Sequence, residues 1–305
     1  MTHLLSTKFP CPYVLGATFT LEISSPQGAS FLAEAKVVHA YAPFTVSPVM
    51  RVALSTQSTG TTLPGEAVLK IYDRRFAHEI RDDYDVDPPT YEAEARYADY
   101  LHSGNIAQTG DQIDDLAEGL PPDAPERIEL GERFIDILMK ELFENETTTY
   151  SVLSSMQGKY IPAFYGTTRF LGGCSPALDT TIPGILIEYI PGTSLYDIDP
   201  TTIDLDTVCS TGVNIVNLYS DLNVLNNDVR LVNFIVKPSG SEIVMIDLAN
   251  CRLRRDDEDD EAWKAAKWDE DEEGCVGVVT RNKFGWNYVR SGRYQILPDA
   301  EGPLA

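Results

Sequence analysis

Phe19–Ile23, Phe31–Ala40, Val49–Leu54 and Ala67–Tyr72 are strand-length runs of β-branched, aromatic and alternating apolar and polar residues, and Gly, Pro and Ser punctuate the gaps, so four strands are predicted. From Glu132 to Gln157 the period lengthens. Phe134, Ile137, Leu138, Leu142, Phe143, Tyr150, Val152 and Leu153 recur near helical spacing, which predicts one long helix or two, stopped at Gly158. Two short strands are predicted at Ala163–Tyr165 and Ile185–Tyr189. Past Pro191-Gly192, Leu205, Val208, Val213, Ile215, Val216 and Leu218 fit a buried helix between Thr201 and Leu222. A hairpin-like pair of strands follows, Asn233–Val236 and Ile243–Ile246. A short helix over Ala262–Trp268 then lies between the acidic runs Asp256–Glu261 and Asp269–Glu273.

This pattern predicts an α+β protein with a β-rich part over 1–190 and a more helical part over 191–305. The segment from about 76 to 130 carries Asp82-Asp83-Tyr84-Asp85, Asp87-Pro88-Pro89 and Leu120-Pro121-Pro122-Asp123, with one helical piece at Tyr91–Leu101, and reads as an acidic, partly mobile insertion. The formal charge of −23 on 305 residues argues against general affinity for nucleic acid or an anionic membrane. The cysteines Cys11, Cys174, Cys209, Cys251 and Cys275 are scattered and read as reduced thiols. Without a leader-like N-terminus or a membrane-length apolar run, the expected location is cytoplasm or nucleus.

Within this frame a few residues have the chemistry of phosphoryl transfer. Asp228, Asn233 five positions later and Asp247 at the end of the next apolar run supply hard oxygen donors, and a strand–turn–strand between Asn233 and Asp247 would bring them together. A turn Asp, a capping Asn and a strand-end Asp would read the same one by one. Lys70 is the one cation in the apolar run Ala67–Tyr72. Its ammonium either meets an anion or reaches solvent from an edge strand. Glu146 shares the buried stripe of the long helix with Tyr150 and Leu153, and Glu141 and Glu144 lie nearby. His3, His39, His78 and His102 are far apart and have no metal-ligand spacing.

In order and spacing these pieces resemble the protein-kinase-like superfamily, and most of all the single-domain kinase-like proteins of mushroom-forming fungi. The resemblance is carried by Val68–Lys70, Glu146–Gly166, Asp228–Val236, Ile246-Asp247 and Trp268–Gly274, and covers roughly residues 30–295. It implies a bilobal protein-kinase-like fold with a β-rich N-terminal lobe and a reduced, mostly helical C-terminal lobe. It also implies ATP and Mg²⁺ as cofactors, with transfer of the γ-phosphate to a protein Ser/Thr or another hydroxyl. On that pattern Asp228 orients the hydroxyl and accepts its proton, and Arg230 assists at the γ-phosphate. Asn233 and Asp247 bind Mg²⁺, while Lys70, clamped by Glu146, holds the α/β phosphates. Ile185–Gly192 resembles a hinge, whose backbone at Glu188 and Ile190 would pair with adenine.

The chain also departs from the family. Ala40-Tyr41-Ala42-Pro43-Phe44-Thr45 stands where a glycine-rich loop belongs, Asn226-Asn227 replaces the His-Arg before the catalytic Asp, and Leu248-Ala249 replaces Phe-Gly after Asp247. The second reading is therefore a pseudokinase, a nucleotide-binding or non-catalytic interaction module. Thermal melting with and without Mg-ATP separates the two. A stabilising shift that is lost in both Lys70→Ala and Asp247→Asn is expected for a nucleotide site, and no shift at millimolar ATP marks the interaction module.

Overall fold

The computed structural model describes residues 9–56, 64–121, 123–173 and 175–295, so His3 and Cys174 lie outside the described residues. The chain divides into two compact units, 1–144 with 164–189 and 145–163 with 190–305.

In the first unit, β1 (Thr18–Ser24), β2 (Ser30–Ala40), β3 (Val49–Thr56) and β4 (Glu66–Ile71) follow each other as antiparallel neighbours. Every second residue of β1 is buried, as the alternation predicts. After the helices β5 (Phe164–Gly173) and β6 (Pro183–Glu188) complete the sheet. Here β6 pairs with β4, β5 pairs with β6, and β5 also pairs with β1, with Glu22 opposite Arg169 and Ile23 opposite Thr168. The result is a closed barrel in the order β1-β2-β3-β4-β6-β5. Phe19, Leu21, Ile23, Met50, Leu69 and Phe170 are among the buried residues that fill its core.

This closure overturns the bilobal protein-kinase-like fold expected from the resemblance, although the α+β class stands. The physical reason lies in β5. The sequence expectation stopped this strand at Tyr165, but it runs on through Thr167-Thr168-Arg169-Phe170-Leu171, a β-prone stretch with Thr168 and Phe170 facing inward. That extra length reaches β1 and consumes both sheet edges. Gly166 (φ +144°) sits where the register of β5 against β6 shifts. A Cβ there would drive into the Ser24 carbonyl.

Residues 76–130, where the sequence predicts one helical piece, carry more regular structure. They form α1 (His78–Asp83), α2 (Tyr91–His102), α3 (Gly110–Glu118) and the start of α4 (Glu126–Val152), with Ala107, Ile113 and Leu130 buried together. Asp82, Asp83, Asp85 and Asp87 are exposed, whereas Glu94 and, just beyond the segment, Glu132 are held by buried cations. Arg74 pairs with Glu94 at 2.8 Å and makes a short bond to Glu132, which Arg81 also grips. Arg81 further donates to the Asp87 carbonyl (2.9 Å), tying down the Asp-Pro-Pro stretch. Close by, Asp73 is fully buried and accepts from Arg75 (2.6 Å) and from the Tyr13 hydroxyl (2.7 Å).

The second unit is built on α5 (Leu205–Asp221), which lies against α7 (Glu272–Phe284) and the strand β10 (Ile243–Met245). Gly212 makes the approach possible, since a Cβ there would meet Val276 at 3.3 Å. The three-stranded sheet runs in the order β10, β9 (Phe234–Val236), β7 (Thr193–Ser194), and a second ribbon pairs β8 (Val224–Asn226) with β11 (Cys251–Leu253). The helix α6 (Asp260–Glu270) precedes α7. Among the described residues no helix is long and apolar enough to cross a membrane.

Gly166→Ala tests the closure. The added methyl must push β5 off Ser24, and urea unfolding is expected to show a loss of about 1–3 kcal/mol.

Candidate functional site

The second unit gathers most of the residues singled out in the sequence. Strand β8 delivers the chain to Asn226 and Asn227, and the ribbon with β11 holds it there through the Asn227 N–H to the Asn250 carbonyl (3.1 Å). The backbone then turns. Asn226 Oδ1 accepts the Asp228 N–H at 2.8 Å, a side-chain-closed turn of the kind Asn favours. One short helical turn, Leu231–Asn233, leads into β9.

Asn233 is buried and turns its amide toward Asp228. Its Nδ2 donates to the Asp228 carbonyl (3.1 Å) and to Asp228 Oδ2 (3.3 Å), so Oδ1, a hard oxygen donor, faces away from that carboxylate. The β9–β10 hairpin then returns the chain to the same place. Met245 lies opposite Phe234, and the Ile246 N–H donates to the Asn233 carbonyl at 2.7 Å. Asp247 is the next residue. It has φ +63°, a left-handed conformation that costs a non-glycine residue about 1–2 kcal/mol and that Asp tolerates better than most. Glu146, on the last turns of α4 and fully buried, accepts the Leu248 N–H at 3.4 Å. The carboxylate that the sequence offered as a clamp is thus anchored on the backbone directly after Asp247.

Arg230 grips Asp228 with both ends of its fork, Nε to Oδ1 at 2.6 Å and Nη2 to Oδ2 at 2.6 Å. The Arg230 side chain is 58% exposed and that of Asp228 19%. A pair so open to water contributes about 1 kcal/mol or less, so an arriving anion can draw the guanidinium away at little cost.

Of the remaining candidates, Lys70 and Glu188 belong to the first unit. Lys70 is buried on β4 opposite Val49 and Ile185, with its ammonium 5.8 Å from the Tyr72 ring centroid. Glu188 ends β6 opposite Ala67. Ile190, in the second unit, is buried.

Three residues behind the loop went unassigned in the sequence. Asn226, there only a departure from the family pattern, accepts the Asp228 N–H. Its own N–H donates to Glu272 Oε1 at 2.8 Å, and Glu272 in turn is bound by Lys267 in a short contact. The Asn-x-Asp turn chemistry was available in the sequence as a signal, whereas the Lys267–Glu272 pairing was not.

Cys251 is buried on β11 among Glu272, Glu146 and Asp247, and burial together with these carboxylates pushes its thiol well up. Such a thiol is inert rather than nucleophilic. Cys209, Cys251 and Cys275 are free thiols. Among the described residues no group of three or more His, Cys, Asp or Glu side chains forms a metal cage. Mg²⁺ does not require one, since it commonly takes one or two protein oxygens and fills its shell with water and phosphate. Asn233 and Asp247 fit that donor set. No protein-family model matches this chain, and no curated protein matches it either.

The β8–β11 ribbon is steadied from outside by Glu258, which takes both ends of the Arg252 fork (2.9 Å each) and the Arg255 N–H (3.2 Å). The Arg252 hydrogen bonds, first among these contacts, hold its carboxyl down at about 2. A carboxylate lowered on folding stabilises the protein above its unfolded value, near 4.5, and loses that contribution as pH falls toward 2. Glu258→Gln is therefore expected to lower the urea midpoint clearly at pH 6 and much less at pH 2.5.

Proposed function

We propose that this chain is an ATP- and Mg²⁺-dependent phosphotransferase whose catalytic loop is Asp228–Asn233 with Asp247. The observation that carries the reading is the convergence of Asp228, Asn233 and Asp247. Asn233 bonds Asp228 through its side chain, and its carbonyl holds the residue before Asp247. Phosphoryl transfer needs such a set, one carboxylate for the attacking hydroxyl beside separate oxygen donors for metal. The left-handed Asp247 supports it too, because strained backbone at a polar residue persists only where its surroundings enforce it.

Each side chain then has a role. Asp228 orients the acceptor hydroxyl and takes its proton as the new bond to phosphorus forms and the γ-phosphorus–oxygen bond to the departing ADP breaks. Arg230 leaves Asp228 for the incoming γ-phosphate, which frees the carboxylate and adds a cation beside the transferring group. Asn233 and Asp247 would hold Mg²⁺, whose chemistry there is to neutralise charge on the phosphate oxygens. Asn226 keeps Asp228 at the turn. The acceptor is a protein Ser/Thr or another hydroxyl, and the strongly acidic chain argues against nucleic acid or an anionic membrane as partner. The proposal includes an intracellular location, where ATP is available.

Asp228→Asn keeps the shape of the side chain and removes the base. Phosphate incorporation and ADP release are expected to fall by about 10²–10⁴-fold while Mg-ATP binding by calorimetry stays near wild type. Undiminished transfer in that variant overturns the mechanism. Wild-type protein that binds Mg-ATP yet transfers nothing would instead be a nucleotide-binding interaction module.

A further inference from the structure

The second unit holds one buried ammonium that the proposed chemistry does not use. Lys267, on α6, is 2% exposed, and its Nζ donates to the Ser220 hydroxyl (2.8 Å), the Val224 carbonyl (2.6 Å) and Glu272. The rings of Tyr219, Trp263 and Tyr294 surround it, with centroids 5.2, 5.3 and 5.9 Å away. Glu272, at the start of α7, is 3% exposed. Its Oε2 faces Lys267, and its Oε1 accepts the Asn226 N–H. Asn226 is 2% exposed and passes the connection on, accepting the Asp228 N–H. From Lys267 to Asp228 every link is thus a hydrogen bond, and each member before Asp228 is out of water.

We infer that Lys267 is a positioning residue: through Glu272 and Asn226 it fixes the backbone of Asp228 in the loop. The coupling is electrostatic. A buried carboxylate that has lost its cation does not stay where it was. It takes up a proton or moves toward water, and either response weakens the acceptor that Asn226 depends on. The short turn at Asp271, left-handed at φ +45°, ends α6 and begins α7, and so sets Lys267 and Glu272 face to face across five residues of sequence. Burial alone lowers the lysine and raises the glutamate, opposing the charged pair, so Ser220, Val224 and Asn226 are needed to complete it. The catalytic meaning of this positioning rests on the phosphotransferase reading, whereas the positioning itself does not.

Amide hydrogen exchange, read peptide by peptide on the full chain, separates the two. In Lys267→Met the amides of Asn226 and Asp228 are expected to exchange at least about fivefold faster, with α5 amides over Leu205–Asp221 close to wild type. Lys267→Met/Glu272→Gln replaces the charged pair by a neutral acceptor, and protection at Asn226 is expected to return. Asn226→Ala guards against a variant that merely unfolds: it leaves the Glu272 bond intact and should release Asp228 alone. Unchanged exchange at Asn226 and Asp228 in Lys267→Met, or an equal rise across α5, overturns the inference. Where transfer activity is measured in parallel, kcat is expected to fall about fivefold with KM for ATP unchanged, and to recover in the double variant. If wild-type protein transfers no phosphate, the function proposal fails and the exchange result still decides the positioning.

Discussion

A chain with 47 carboxylates and 24 Lys and Arg side chains cannot leave its buried acids unaccompanied, and the placement of its few cations organises both units. Glu132 is met by Arg74 and Arg81, Asp73 by Arg75, Glu258 by Arg252 and Glu272 by Lys267. The Glu132 and Glu272 pairings join neighbouring elements, while those of Asp73 and Glu258 are local. Arg74 and Arg81 tie the start of the helical segment to α4, while Lys267 ties α6 to α7 and, through Glu272, to the Asn226–Asp228 turn. Such pairs add little net stability over well-packed apolar groups, yet losing one partner is severe. Their contribution is to fix which elements meet.

Two motifs with different demands share the second unit. The β9–β10 hairpin sets Asn233 beside Asp247 by backbone register alone, which is tolerant of side-chain change. Asp228 depends instead on side chains, with Asn226 behind it and Arg230 and Asn233 around it. The replacement of a His-Arg pair by Asn226-Asn227 looked like erosion of a catalytic loop. In the fold Asn226 does positional work that a larger imidazole could not do in the same way, since its short amide reaches the N–H two residues on.

Local features were legible in the sequence, and long-range ones were not. The four strands before residue 73, the helix at Tyr91 and the β9–β10 hairpin all lie where periodicity puts them, because each depends on alternation or punctuation within a few residues. The end of β5 did not, because Thr167–Phe170 becomes strand only on finding β1, with Arg169 bonded to Glu22 at 3.0 Å across 147 positions. The acidic segment misled for a related reason. Asp82, Asp83, Asp85 and Asp87 are exposed, and the helices are held instead by contacts distant in sequence, Arg74 on Glu94 and Arg81 on Glu132. At the site, the Asp-x4-Asn spacing was enough to anticipate a local Asn233–Asp228 contact, and the apolar strand before Asp247 anticipated the hairpin that returns the backbone to Asn233. The Lys267–Glu272 support depends on a tight turn at Asp271 that no composition rule marks.

The closed barrel has a further consequence for recognition. An open sheet offers a partner its unpaired backbone, so that an extended peptide can dock as one more strand with little regard to side chains. Once β5 joins β1 to β6, the described strands of the first unit offer no such backbone rail. Whatever binds that unit must be read by side chains and loops, which are specific, rather than by main chain, which is not.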